Sequence, residues 1–108
     1  MSVIKNKKII ISAGASGIGL ATAKICLARG AYVYLCDIDK KSLNRLNKSP
    51  LKNKRLFTYY CDASDEKQVS HFFQKVTKKT NKIDALINNV GIAGPTGSLE
   101  KLNSKDWV

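Results

Sequence analysis

The sequence predicts an α/β fold, a doubly wound parallel sheet of about four strands with helices on both faces. Three observations predict it. Four short, apolar, partly β-branched runs recur at similar intervals along the chain, and segments of helical apolar periodicity separate them. The runs are nearly continuous in apolar residues rather than alternating, the pattern of strands whose sheet is covered on both faces. Strand–helix–strand repeats of this length connect by right-handed crossovers, which makes neighbouring strands parallel.

The first strand is read at Lys8–Ser12, where Ile9, Ile10 and Ile11 form an unbroken apolar run of strand size. The helix after it carries Ile18, Ala21, Thr22, Ile25 and Ala28 on one face, with Leu20, Ala23 and Leu27 on the other. A helix apolar all round is expected to be deeply buried, and Gly30 supplies its stop. The second strand is Tyr32–Cys36. A weaker helix follows, with Asp39 as N-cap and Leu43 and Leu46 facing inward. The third strand is Leu56–Tyr60. In the next helix Val69, Phe72, Phe73 and Val76 fall at i, i+3, i+4, i+7, and Lys75, Lys78 and Lys79 face away. The fourth strand is Asp84–Asn88. Ser104 to Val108 begins as a capped helix would.

Composition narrows the classes. At 108 residues with 44% hydrophobic and 25% charged residues, the chain suits one domain with a real core, not a two-domain enzyme or a disordered tail. No apolar run reaches membrane-spanning length, so no membrane is expected as a partner. The Lys5, Lys7, Lys8 segment before Ile9 mimics a signal peptide, but the Gly-rich turn cuts its apolar run short. The formal charge of +11 invites a nucleic-acid reading. Its cations cluster from Lys40 to Arg55 and from Lys75 to Lys82 without interleaved aromatic residues to stack bases. Solvated helix faces explain them better. Cys26, Cys36 and Cys61 form no C-x-x-C pair and read as reduced, buried thiols of a cytoplasmic protein. One histidine, His71, offers no metal constellation.

Ligands of open parallel sheets bind at the carboxyl ends of the strands, and four features fall there. The first is Ser12-Ala13-Gly14-Ala15-Ser16-Gly17-Ile18-Gly19, between strand one and its helix. Glycines let backbone approach a pyrophosphate, and the helix N-terminus offers N–H groups and a positive dipole end. The second is Asp37 at the end of strand two. A carboxylate there accepts from adenosine ribose hydroxyls and repels a 2′-phosphate. Because Asp39 caps the helix, Asp37 is left for the ribose, while Lys40 and Lys41 nearby would suit a phosphate. The third is Asp62-Ala63 after strand three. It reads equally as an acceptor for the adenine amine with a neighbouring backbone N–H, or as a plain Asx turn with Ser64 and Asp65. The fourth is Asn88-Asn89-Val90-Gly91, followed by Gly94, Pro95 and Gly97. Its amides offer donors and acceptors to pin loops around a cofactor, and Gly91 permits close approach of a ribose; asparagine-rich strand ends also occur as simple turns.

With these residues in view, the sequence resembles the short-chain dehydrogenase/reductase family over essentially its whole length. That family begins with a strand, then T-G-x-x-x-G-I-G, an acid ending strand two, an Asp after strand three and N-N-A-G after strand four. Gly17-Ile18-Gly19, Asp37, Asp62 and Asn88-Asn89-Val90-Gly91 match in order and spacing, and Leu102 to Trp107 is similar to the lead into the fourth helix. The resemblance implies a Rossmann-like sheet in order 3-2-1-4 and a cofactor held by Ser12, Gly14, Ser16, Gly17, Ile18, Gly19, Asp37, Asp62, Ala63, Asn89, Val90 and Gly91. Asp37 and Ser16, where NADP-preferring members carry a basic residue, point to NAD rather than NADP. Two positions depart: Ser12-Ala13-Gly14 stands where Thr-Gly-Ala is usual, displacing the first glycine by one residue, and Val90 replaces alanine.

The family's catalytic serine and Tyr-x-x-x-Lys pair have no match here, since Tyr32, Tyr34, Tyr59 and Tyr60 precede Cys36, Ile38, Ala63 and Ser64 at that spacing. The expectation is therefore that residues 1–108 are the amino-terminal portion of one NAD(P)-binding, Rossmann-like domain, cut before the catalytic segment and without catalysis of its own. An isolated chain of this kind is expected to be marginally stable, aggregation-prone, or dependent on a partner carrying the complementing carboxyl-terminal half, with a homo-oligomer the other partner expected of the full-length parent. The alternative is a non-catalytic module binding a nucleotide or a nucleic acid. A methyltransferase-like sheet ranks last, because Ser12 stands where that fold wants an acid.

Overall fold

The computed structural model describes residues 3–13 and 15–89. The elements run β1 (Lys8–Ser12), α1 (Gly17–Ala28), β2 (Tyr32–Asp37), α2 (Lys40–Asn47), β3 (Leu56–Tyr60), α3 (Glu66–Thr77) and β4 (Ala85–Ile87). Four strands form one sheet in order β3-β2-β1-β4, every pairing parallel. The order reverses between β1 and β4, so a crevice opens beside the carboxyl end of β1. The expected Ser104 to Val108 helix lies outside the described residues.

The central strands are buried on both faces, and their side chains alternate between two cores. Ile9, Ile11, Val33 and Leu35 pack toward one side with Ala23, Leu43 and Leu46. Ile10, Tyr34 and Cys36 pack toward the other with Val69, Phe72 and Val76. Thus α1 and α2 cover one face and α3 the other, the doubly wound arrangement. Aromatic contacts fill the second core. Tyr34 stacks on Phe57 at 4.9 Å and 9°, and Tyr59 meets Phe72 edge-on at 5.3 Å.

Most element assignments from sequence hold. Asp39 caps α2 by accepting from the N–H groups of Lys41 and Ser42, and Asp65 caps α3 from Lys67 and Gln68. Gly30 follows α1 at φ 86°, where a residue with a side chain would be strained. The second strand is one residue longer than read, taking in Asp37. The fourth is shorter, Ala85–Ile87, and side-chain bonds to β1 flank it at both ends. Asp84 Oδ2 accepts from Lys8 N–H at 2.8 Å, and Asn88 reaches Ser12.

One expectation is corrected. Helix α1 is not buried all round: its core face is Gly19, Ala23 and Cys26, while Ile18 is 79% and Ile25 56% exposed. The small residues win the sheet because they let the helix lie close to β1 and β2. A helix apolar on every side gives the sequence no sign of which face that is.

Candidate functional site

Local geometry at the end of β1 is set by two left-handed residues. Ala13 has φ 51° and Gly17 φ 58°. A side chain at Gly17 would meet nothing within 4 Å, so glycine is required there by conformation, not space. Alanine occupies the other such position at a cost of about 1–2 kcal/mol. Ser16 occupies the N-cap of α1 with extended dihedrals, but its hydroxyl makes no cap bond, and the first turn holds no acid. Ser16 therefore leaves the positive end of α1 uncompensated, the state in which a helix start attracts an anion. Gly14 lies outside the described residues.

Asp37 fixes this turn. Only 7% exposed, its Oδ2 accepts from Ala15 N–H at 3.1 Å and its Oδ1 from Asp39 N–H at 2.9 Å. Asp37 is therefore not wholly free for a ribose, as the sequence suggested. Its carboxylate ties the Gly-rich turn to the end of β2, and its remaining lone pairs are what a ribose would find.

Ser12 is placed differently from the other expected contacts. It is fully buried, its hydroxyl donates to Asn88 Oδ1 at 2.8 Å and accepts from Asn89 N–H at 2.7 Å. Asn89 Nδ2 donates back to Ser12 O at 3.1 Å. These bonds lock the ends of β1 and β4 together across the switch point. Ser12 positions Asn89; its own hydroxyl is spent. Val90 and Gly91 lie outside the described residues.

Asp62 forms the Asx turn that was one of its two readings: Oδ1 accepts from Ser64 N–H at 2.9 Å and from the Ser64 hydroxyl at 2.6 Å. These bonds, the hydroxyl first, hold its carboxyl below the usual carboxylate range. Asp62 N–H donates to Gln68 Oε1 at 2.8 Å, which sets the entry into α3.

A cavity of about 270 Å³ at the carboxyl edge is lined by Ala13, Asp37, Ile38, Cys61, Asp62, Ala63, Ser64 and Asn89. Four of the residues singled out from sequence, Asp37, Asp62, Ala63 and Asn89, thus meet from three strand ends. Ser16 and Gly17 line a neighbouring cleft of about 410 Å³ between α1 and α2, together with Lys24 and Arg45. Ile18 points to solvent and Gly19 packs on the sheet. Sequence reasoning passed over Ile38, 55% exposed on the cavity wall. The signal was an aliphatic residue immediately after the strand-end acid, where a polar turn residue would be ordinary. Lys40, the cation nearest Asp37 in sequence, lines neither space; its ammonium sits 4.8 Å from the Tyr60 ring centre. Among the described residues no group of three or more His, Cys, Asp or Glu is arranged to hold a metal ion.

A parallel sheet in this order, with a Gly-rich turn feeding α1, an acid ending β2 and a polar crevice at the switch point, defines the Rossmann-like class. Comparison with known proteins makes the assignment narrower. The family description "short chain dehydrogenase" matches residues 7–108, and the chain belongs to that family. It is 34% identical over 106 residues to a 3-oxoacyl-[acyl-carrier-protein] reductase of Thermotoga maritima, covering 96% of this chain and 42% of that protein. It is 33% identical over 100 residues to short-chain dehydrogenase reductase 5 of Arabidopsis thaliana, covering 93% and 38%. A short-chain dehydrogenase/reductase from Burkholderia phymatum, solved in complex with NAD, superposes with TM-score 0.76 at 27% identity over 99% of this chain and 38% of that one. The chain spans about two-fifths of the length of the curated relatives it matches.

Proposed function

We propose that this chain is the cofactor-binding portion of an NAD-dependent short-chain dehydrogenase/reductase, and that these residues alone bind the dinucleotide without catalysing its reduction. The observation that carries the reading is the single cavity gathering Asp37, Ile38, Asp62, Ala63 and Asn89 at the switch point of the sheet. The donor set suits an adenosine. Exposed Ile38 and Ala63 offer apolar surface to a purine, the Asp62 carboxylate an acceptor for its amine, and Asp37 an acceptor for ribose hydroxyls. Next to them, the uncapped start of α1 at Ser16 and Gly17 suits the pyrophosphate. When bound, the nicotinamide supplies the hydride acceptor for oxidation of an alcohol to a carbonyl, or the donor for the reverse.

NAD is favoured over NADP because Asp37 is a carboxylate held in place by two backbone N–H groups. It cannot swing aside from a 2′-phosphate. Lys40, one of the two cations that would offset it, lies over the Tyr60 ring. Absence of catalysis follows from the lack of any Tyr-x-x-x-Lys pair in these residues, since that tyrosine is the family's proton donor and acceptor.

Calorimetric titration of the chain with NAD and with NADP tests this. NAD is expected to bind at least about tenfold tighter, a preference of roughly 1.4 kcal/mol. Asp37→Ala is expected to weaken NAD and to narrow that preference. Equal affinity for the two cofactors in the unaltered chain would refute the NAD assignment, and an unchanged NAD affinity in Asp37→Ala would remove Asp37 from the site.

A further inference from the structure

Two thiols lie behind the cavity wall. Cys36 is in the last turn of the β2 ladder and is fully buried; Cys61 follows the last residue of β3 and is 2% exposed. In the β2–β3 register Cys36 stands beside Tyr59, so alternation places Cys61, two residues further, on the same face. Both belong to the core cluster under α3, with Ile10, Tyr34 and Phe72. Each thiol is the other's principal electrostatic neighbour. The backbone couples them to the site as well, because Cys61 N–H donates to Asp37 O at 3.0 Å. Of the two, only Cys61 lines the 270 Å³ cavity.

The neighbouring Cys36 thiol, with help from Lys75, holds the Cys61 thiol below its ordinary range against burial and against Asp62 and Asp65. The same pairing, with burial and the Asp37 charge, pushes Cys36 up and keeps it protonated. Cys26, the third thiol, sits under α1 away from this cavity, and burial pushes it up.

We propose that Cys61 is an oxidative modification site in the cavity wall, reached by small hydroperoxides through the cavity, with Cys36 behind it as the resolving thiol. The Cys61 thiolate attacks the peroxide O–O bond, forming the sulfenic acid and releasing hydroxide from hydrogen peroxide, or the alkoxide from an organic hydroperoxide, which solvent protonates to water or the alcohol. Cys36 then attacks the Cys61 sulfur, the S–OH bond breaks, and the Cys36 proton leaves with the hydroxide as water. Two thiols are oxidised to one disulfide as one hydroperoxide is reduced. Strands about 4.8 Å apart with a two-residue offset of about 6.6 Å put such Cα atoms about 8 Å apart, whereas a disulfide needs them within about 7 Å. Closing the bond therefore draws Cys61 toward β2, straining its N–H bond to Asp37 O and the Asp62 N–H bond to Gln68, and it displaces Asp62 and Ala63. This last step, an effect of oxidation on nucleotide binding, rests on the cofactor reading above; the thiol chemistry does not.

The test is to expose the reduced chain to a small excess of hydrogen peroxide, trap remaining thiols with N-ethylmaleimide in denaturant, and map the peptides by mass over time. The expected result is a Cys36–Cys61 disulfide with Cys26 still alkylated. Cys36→Ala removes the neighbour that favours the Cys61 thiolate and should slow oxidation of Cys61 about tenfold near neutral pH. Cys36→Ser, which keeps a hydroxyl donor, should restore the first step and leave a dimedone-reactive sulfenic acid. Oxidation of Cys26 as fast as Cys61, or an unchanged Cys61 rate in Cys36→Ala, would overturn the proposal. Saturating NAD should slow oxidation of Cys61; if the disulfide forms as described and NAD offers no protection, the thiol pair stands and the cofactor seat falls.

Discussion

At the scale of single residues, the site is built from side chains whose strongest bonds are internal. Asp37 and Ser12 hold the loops that a ligand would meet, and each does so through hydrogen bonds to backbone N–H groups. Ala13 shows what that arrangement costs. It adopts φ 51° because the chain must turn sharply between the locked end of β1 and Ala15, which Asp37 holds. Ala13→Gly is expected to raise stability by about 1 kcal/mol, read as a higher midpoint in denaturant unfolding. Tyr59 is a second cost. Its hydroxyl is buried with no hydrogen-bond partner among the described residues, although the ring packs on Phe72. Tyr59→Phe keeps that packing and removes the orphaned hydroxyl, so it should be neutral or stabilising by up to about 1–3 kcal/mol in the same assay. A loss of more than about 1 kcal/mol would show that the hydroxyl has a partner after all.

Elements were legible in the sequence where one physical signal dominated. Ile9 to Ile11 and Tyr32 to Leu35 declare buried strands by unbroken apolar character. Asp39 and Asp65 stand before α2 and α3 as caps. What stayed hidden needed the third dimension. The bond from Ser12 to Asn88 spans 76 positions, and no local pattern announces it. The core face of α1 was unreadable because all its faces are apolar, and the small-residue face prevailed through packing distance. The residues around the cavity were read individually, but not that Asp37 spends its oxygens inside the protein. The element ends also carry an acid dependence. Asp39 is held below the usual carboxylate range, chiefly by the Ser42 hydroxyl, and Asp84 by Lys8 N–H. A folded-state pKa below the unfolded value means these bonds stabilise at neutral pH and are lost as pH falls through the folded values. Stability should therefore hold from pH 7 to roughly 5 and decline below about 4, with Asp84→Asn flattening that decline. Circular dichroism at constant denaturant across this range reads it directly, and a maximum at pH 3 would contradict the sign.

At the scale of the whole molecule, the sheet's switch point explains why residues far apart in sequence converge. Strand ends β1, β2 and β3 and the segment after β4 all open on one edge, while α1 and α2 cover one face and α3 the other. Two cations, Lys24 and Arg45, line the cleft beside the Gly-rich turn, while Lys75 in α3 and Lys78 and Lys79 just after it are exposed and line neither space. Helix α1 leaves Ile18, Ala21, Ile25 and Ala28 exposed on its outer face, in a chain that spans about two-fifths of its relatives' length. The proposed dinucleotide seat lies along the carboxyl edge of this sheet, and amide chemical-shift mapping of the chain during titration with NAD reads it out residue by residue. Saturable shifts should concentrate at Ala13, Ala15 to Gly19, Asp37 and Ile38, Asp62 and Ala63, and Asn89. No saturable shifts, or shifts centred on the lysine-rich outer face of α3, would place the nucleotide elsewhere or nowhere on this chain.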